Sequence, residues 1–563
     1  MRVVCLCLLS VHVGCILSAL AAEESRTNTS ANGSIHSIPG ERIWQTDNEP
    51  VPPISSGNTE SAEDVTRNFV SATLGSNMVL QRDREVTLWG YSTKGAIITT
   101  TLLLNTEESA APPIVPVVLS TTATGDDGLW RQALPPQAAS LEATSIKIKS
   151  STGQSQTLEN VLFGDVYICG GQSNMVFSIP GATNGTTEAN KGNRYPHIRV
   201  FTVGQKTASK TPLPDLQTVE QPWSVANNHS LYTNVFYVNG GGYSHFSAVC
   251  FFFGRQVADG LGNKIPIGLI SNNWGGTKIQ RWQPQNNNGG DLYNSMIHPY
   301  MVGPMAITGF TWYQGEANAG GSSKAADEYS HLFPQLIQAW RDGFQVPNAY
   351  FGFVQLSTWC PPAQPQSVAE LRQAQMAAMR LKNVGYSTNA DMGFGCNIHP
   401  PKKQYCGRRL GNSALAIQYG QPIHWKSPSY CKVTTISELD LLVESRKENS
   451  NDGRLSVVVH FQDVSSDGLY MLETSYNAQV KGFTCQGKPA GTCAGAAVLL
   501  NGQGWVNAAI SITGNDSVTL TAPAGYSTKD SIIATSYGWG SVPLMTLYDK
   551  GTDLPVLPWK EKI

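Results

Sequence analysis

The chain has 563 residues, too many for one hydrophobic core, so roughly two to four domains are expected. Its 39 basic and 41 acidic residues nearly balance, and neither Lys nor Arg forms a run. That distribution argues against a nucleic-acid or other polyanionic partner.

Arg2 precedes an apolar stretch over residues 3–20, and Ala19-Leu20-Ala21 offers a small-x-small cleavage site. This layout predicts a secretory signal peptide over residues 1–22, with an uncleaved anchor as the competing reading. No later stretch reaches the ~18 apolar residues of a membrane span. Residues 23–66 are dominated by Ser, Asn, Thr, Glu and Pro and are expected to form a disordered tail. Sequons at Asn28, Asn32, Asn184, Asn228 and Asn515 fit passage through a glycosylating pathway. A secreted or lysosomal protein is therefore expected, and the sequence does not choose between the two.

Cys5, Cys7 and Cys15 leave with the signal peptide, so eight of the 11 cysteines remain, an even set for an oxidising compartment. Cys485 and Cys493 suit a local bridge, and Cys396 and Cys406 are a second candidate pair. Cys169 and Cys250 fall in apolar surroundings, where free core thiols are at least as reasonable as a bridge. No Cys/His spacing fits a zinc site.

Residues 67–160 hold short strand-like runs such as Glu85-Val86-Thr87-Leu88-Trp89-Gly90, separated by turns, which predict a small β module, most simply a sandwich. From residue 161 to 430 strands alternate with helices. Helices are predicted over 246–261, 330–344, 368–382 and 402–419, and strands over 166–169, 265–271, 306–312, 349–356 and 384–387. Such alternation predicts a parallel sheet covered by helices on both faces. Residues 431–563 return to strands and turns, a second β module.

Ligands of a parallel α/β sheet bind beyond the carboxyl ends of its strands, so the polar residues following each strand belong together. After Val166-Tyr167-Ile168-Cys169 comes Gly170-Gly171-Gln172-Ser173, a sharp turn that presents a serine hydroxyl and its own N–H. After the second strand comes Gly275-Gly276-Thr277, and after the third Gln314-Gly315-Glu316. Beyond the fifth lies Asn397-Ile398-His399-Pro400. A hydroxyl, an imidazole, a carboxylate, an amide and two glycine turns are the components of acyl transfer through a serine ester.

These blocks carry a family resemblance. Gly164 to Met175 (GDVYICGGQSNM), Trp312 to Asn318 (WYQGEAN) and Ile398-His399-Pro400 resemble the sialate O-acetylesterases, within the SGNH-hydrolase group of carbohydrate esterases. The resemblance implies a flavodoxin-like three-layer α/β/α domain flanked by β-sandwich-like modules. It implies removal of O-acetyl groups, 9-O-acetyl foremost, from sialic acid, either free or on a sialoglycan, without a metal or organic cofactor. Ser173 would be the nucleophile and His399 its base. The oxyanion would be held by the N–H of Ser173, a backbone N–H near Gly275 or Gly276, and the Gln314 side chain.

The acid of the triad is open in the sequence. Many SGNH hydrolases have Asp two residues before the histidine, where this chain has Asn397. Glu316 is the first candidate, Asp391 the second, and a neutral orienting group the third. His298, in a second Ile-His-Pro, precedes the third strand and so falls at the edge away from the chemistry. Arg281 and Arg372 are candidates to pair with a sialic carboxylate. Two other functions stay open: an acetylesterase for another sugar such as acetylated xylan, and a glycan-binding protein with a decayed site. The oligomeric state is not readable from the sequence.

Overall fold

The computed structural model describes residues 65–104, 117–123, 126–232, 246–284, 290–319, 324–361, 364–435, 454–472, 485–489, 492–526 and 531–563. The expected signal peptide, nearly all of the expected tail, and the sequons at Asn28 and Asn32 lie outside these residues.

The N-terminal strands are β1 (Val79–Gln81), β2 (Val86–Tyr91), β3 (Ile97–Leu104), β4 (Val117–Thr122), β5 (Leu129–Leu134) and β6 (Ser140–Ser150). β2 and β5 form an antiparallel pair, while β4, β3 and β6 pair in turn and pass onto β7 (Ser155–Gly171). β7 is the hinge of the architecture. Its first part pairs with β6, and its last residues, Asp165 to Gly171, form the centre of the parallel sheet. The boundary expected between residues 160 and 161 therefore falls inside one continuous strand. Trp89 and Trp130 of the β module belong to the same buried cluster as Ile168 and Phe310 of the parallel sheet, so the two regions share a core.

The sheet continues with β8 (Ile198–Val203), β9 (Val219–Val225), β10 (Ile267–Asn273), β11 (Gly309–Tyr313), β12 (Tyr350–Gln355) and β13 (Val384–Thr388). Its order is β13-β12-β11-β7-β10-β8-β9, parallel except for β9, which runs antiparallel to β8. The five strands expected from the sequence are β7, β10, β11, β12 and β13, and they take the flavodoxin-like order 2-1-3-4-5. β8 and β9 extend one edge and were not anticipated.

Helices cover both faces. Tyr167 of β7 meets Phe253 of α4 (Ala248–Gly260) and Tyr419 of α9 (Lys403–Tyr419). Gly170, three residues on and so on the other face, lies against Trp340 of α7 (Ala325–Gly343). α8 (Ser367–Gln375) packs beside α7. The smaller helices are α1 (Ser173–Val176), α2 (Gly185–Lys191), α3 (Asn228–Tyr232), α5 (Pro299–Val302) and α6 (Glu316–Ala319).

The C-terminal region builds two four-stranded sheets around a second core that includes Val459, Val518, Tyr537 and Trp559. Ala390, from the loop after β13, is part of that core. Arg372 of α8 reaches into the same boundary. Its fully buried guanidinium donates to the carbonyls of Leu356 (2.8 Å), Ser357 (3.1 Å), Gly540 (2.9 Å) and Ser541 (3.3 Å). With four of its five N–H groups bonded to carbonyls and the side chain fully buried, Arg372 serves to join two cores in place of the expected substrate contact.

The disulfides revise two readings. Cys169 pairs with Cys250, tying β7 to α4, so these are not free core thiols. Cys396 pairs with Cys360 and not with Cys406, which stays a buried thiol of α9. Cys485 pairs with Cys493 as expected. Asn184, Asn228 and Asn515 are all exposed. No helix among the described residues is long and apolar enough to cross a membrane.

Candidate active site

The site is built where β7 ends. Gly171 has φ +138°, and a Cβ there would lie 2.2 Å from the carbonyl oxygen of Tyr313, so only glycine fits between β7 and β11. The Gln172 N–H then donates to that same carbonyl (3.0 Å), and the Gly171 carbonyl accepts from Trp274 N–H (3.0 Å). Thus β11 and β10 clamp the turn from both sides. Ser173 follows as the first residue of α1, where its N–H has no acceptor within the helix. Gly275 sits beside it: a Cβ on Gly275 would touch the Ser173 Cβ at 3.6 Å.

His399 arrives from the loop after β13. Its Nε2 lies 2.8 Å from Ser173 Oγ, although 226 residues separate them in the chain. Asn397 is exposed, and its Oδ1 accepts from the backbone N–H of His399 (2.9 Å), an Asx turn that shapes the loop. Burial, and then the charge of Lys403, hold the imidazole down at about 4, so it is a neutral base at neutral pH. A serine hydroxyl hydrogen-bonded to a neutral imidazole is arranged for base-assisted attack on an ester.

Neither acid candidate touches this imidazole. Asp391 is buried in a two-pronged ion pair with Arg409 of α9 (2.7 and 2.8 Å), with Tyr548 OH at 3.4 Å. Its lone pairs are committed to holding the loop. Glu316 stops one side chain short. Its Oε1 accepts from Asn174 Nδ2 (2.5 Å), and its Oε2 is buried without a hydrogen-bond partner. Burial raises the Glu316 carboxyl to about 7, against the opposing pull of its own backbone N–H, the Asn174 hydrogen bond and the Lys403 charge.

Gln314 is likewise spent. Its Nε2 faces Asn318 Oδ1 (2.7 Å), the Thr277 carbonyl (3.0 Å) and Gln172 Oε1 (3.2 Å), and its Oε1 accepts from Tyr329 OH (3.0 Å). Two amide hydrogens already surrounded by three acceptors cannot serve an oxyanion. Gln314 instead pins the loops after β7, β10 and β11 to one another.

His298 pairs through Nδ1 with the Leu213 carbonyl (3.0 Å) at the start of α5. Arg281 holds Asp291 and stacks on Trp274, the residue before Gly275, with about a third of its side chain exposed. Among the described residues, no group of three or more His, Cys, Asp or Glu side chains is placed to hold a metal ion.

Asn174 and Lys403 are the residues the sequence reasoning missed. Both are fully buried, and the Lys403 ammonium donates to Asn174 Oδ1. One signal was available: a lysine at the start of a helix opposes the helix dipole and is unusual without a partner.

Residues 163–411 match the family of carbohydrate esterases described as sialic acid-specific acetylesterases. The chain is 30% identical over 414 residues to the human sialate O-acetylesterase, covering 66% of this chain and 75% of that protein. It is 29% identical over 436 residues to the rat sialate O-acetylesterase, covering 65% and 76%. Among solved structures, it resembles a carbohydrate acetylesterase from Xanthomonas citri, with TM-score 0.68 and 25% identity over 88% of this chain and 99% of that one. An α/β carbohydrate esterase is thus the class that fold and site define. The chain belongs to the sialate O-acetylesterase family.

Proposed function

We propose that this esterase removes O-acetyl groups from sialic acids, 9-O-acetyl foremost, through a serine acyl-enzyme. The observation that carries the reading is the 2.8 Å hydrogen bond between Ser173 Oγ and His399 Nε2 at the carboxyl end of the central strand. Ser173 Oγ attacks the acetyl carbonyl while His399 Nε2 takes its proton. The tetrahedral oxyanion is met by the N–H of Ser173 and a backbone N–H of the Gly275-Gly276 turn. Collapse expels the sugar hydroxyl, which receives the proton from His399. Water then attacks the acetyl-serine by the same route in reverse and releases acetate. Arg281, beside Trp274 at the same turn, is the guanidinium available to a sialic carboxylate.

Support for passage through an oxidising secretory pathway comes from the three disulfides and the exposed sequons at Asn184, Asn228 and Asn515. Delivery is outside the cell or to the lysosome.

The test is acetate release from 9-O-acetyl sialosides compared with acetylated xylan, with 4-nitrophenyl acetate as a general ester. Preference for the sialoside is expected. Preference for xylan would reassign the sugar, and no hydrolysis of any ester would leave a glycan-binding protein.

A further inference from the structure

We propose that Lys403 and Asn174 are positioning residues for His399, with Lys403 fixing the Asn174 amide and Asn174 fixing the His399 loop. This rests on His399 being the base of the proposed esterase reaction. The geometry is a relay of three buried side chains. Lys403 Nζ donates to Asn174 Oδ1, and Asn174 Nδ2 donates both to Glu316 Oε1 (2.5 Å) and to the carbonyl of Ile398 (2.9 Å), the residue before His399. Asn174 is also the residue after Ser173. One amide therefore ties the chain next to the nucleophile to the chain next to the base.

The amide can be read only one way round. If it were flipped, its oxygen would face the Ile398 carbonyl, and its NH2 group would face an ammonium. The Lys403 ammonium, which can only donate, and the Ile398 carbonyl, which can only accept, exclude that orientation. Aromatic rings complete the cage: Lys403 Nζ lies 4.8 Å from the centre of Phe177 and 5.2 Å from that of Tyr313. A fully buried lysine is costly unless its charge is used, and here its attractions converge on the one amide that touches both halves of the site.

Lys403 also acts on His399 through space. A second positive charge nearby disfavours the imidazolium, and with burial it holds His399 at about 4. Burial brings Lys403 itself down to about 8, opposed by the Cys406 sulfur and Glu316, so it stays cationic below that pH. Among the described residues, the other ionisable groups near these side chains include Tyr313 from β11, Tyr329 from α7, Arg372 from α8 beside Tyr313, and Arg409 of α9 with its partner Asp391. The consequence is a base that stays unprotonated into mildly acidic solution.

The experiment has two arms on the full-length protein. In the first, the His399 imidazole of the wild type, Lys403→Met and Lys403→Arg is titrated by NMR with labelled histidine, its resonance assigned by its loss in His399→Ala. In the second, kcat and KM for 4-nitrophenyl acetate are measured across pH for these variants and for Asn174→Leu. Lys403→Met should raise the His399 midpoint by about one pH unit and move the acid limb of kcat/KM upward with it. Lys403→Arg, which keeps the charge, should leave the midpoint near the wild-type value. Lys403→Met and Asn174→Leu should each lower kcat by ~10-fold or more at nearly unchanged KM. An unmoved midpoint in Lys403→Met, or the same shift in Met and Arg variants, overturns the proposal. If Lys403→Met does not fold, Asn174→Leu decides, and wild-type kcat in that variant overturns it. The NMR titration needs no turnover, so an inactive protein would count against the proposed reaction without obscuring the relay.

Discussion

Arg409 holds Asp391 with both arms of its guanidinium, at 2.7 and 2.8 Å, with each side chain almost wholly buried. This pair determines what the loop carrying His399 can do, because it anchors that loop to α9 eight residues before the imidazole. Asp391 is thereby a structural carboxylate. Asp391→Asn leaves a buried guanidinium without its counter-charge, which costs about 3–5 kcal/mol when one partner of such a pair is removed. The expected outcome is a large drop in the urea midpoint, with activity lost in step with folding. A stable Asp391→Asn protein with strongly reduced kcat would instead make Asp391 the acid.

Ser173→Ala should reduce turnover by several orders of magnitude while the protein still folds, and His399→Ala should be nearly as damaging. The two side chains share one hydrogen bond and one proton, so the double variant should be little worse than either single change. Kinetics with 4-nitrophenyl acetate on the three variants check this, and additive losses would contradict it.

Glu316 should shape stability against pH. Its carboxyl has a folded value of about 7, raised from an ordinary 4.5, so the folded state binds this proton more tightly than the unfolded chain does. The contribution is fully present below about 4.5 and is lost as pH rises through 7. Glu316→Gln has no charge to bury and should gain stability over the wild type across that window, by up to ~3 kcal/mol. Urea midpoints of both proteins at pH 4.5, 6 and 7.5 give the comparison. Because Glu316 does not touch His399, this variant should lose far less activity than His399→Ala.

The Cys360–Cys396 bridge closes a 36-residue separation, and Cys396 lies three residues before His399. Paired Ser substitutions should cost about 4 kcal/mol on the loop-entropy account. They should also lower kcat more than KM, since the freed loop carries the base. Removing Cys485–Cys493, which spans a separation of eight, should leave kcat unchanged.

What the sequence determined by itself was whatever is local. An apolar strand followed by two glycines and a serine defines a strand-to-helix turn, because φ/ψ limits and apolar periodicity act over a few residues. The same holds for α4 and α9, whose predicted spans match closely; Gly420 ends α9 in the left-handed conformation, where the pattern stops. Placing the polar strand ends at one sheet edge was legible too, since the topology of parallel sheets brings them together. What only the tertiary structure decided was partnership. Asp391 and Glu316 are equally acidic as letters, but one meets Arg409 and the other meets Asn174. Gln314 has the right chemistry for an oxyanion hole, yet three acceptors from separate loops consume its amide. Lys403 and Asn174 lie 229 residues apart and touch only because α1, which follows β7, folds against the start of α9. Burial and hydrogen-bond competition set the role of a polar group, and both are properties of neighbours brought from distant parts of the chain.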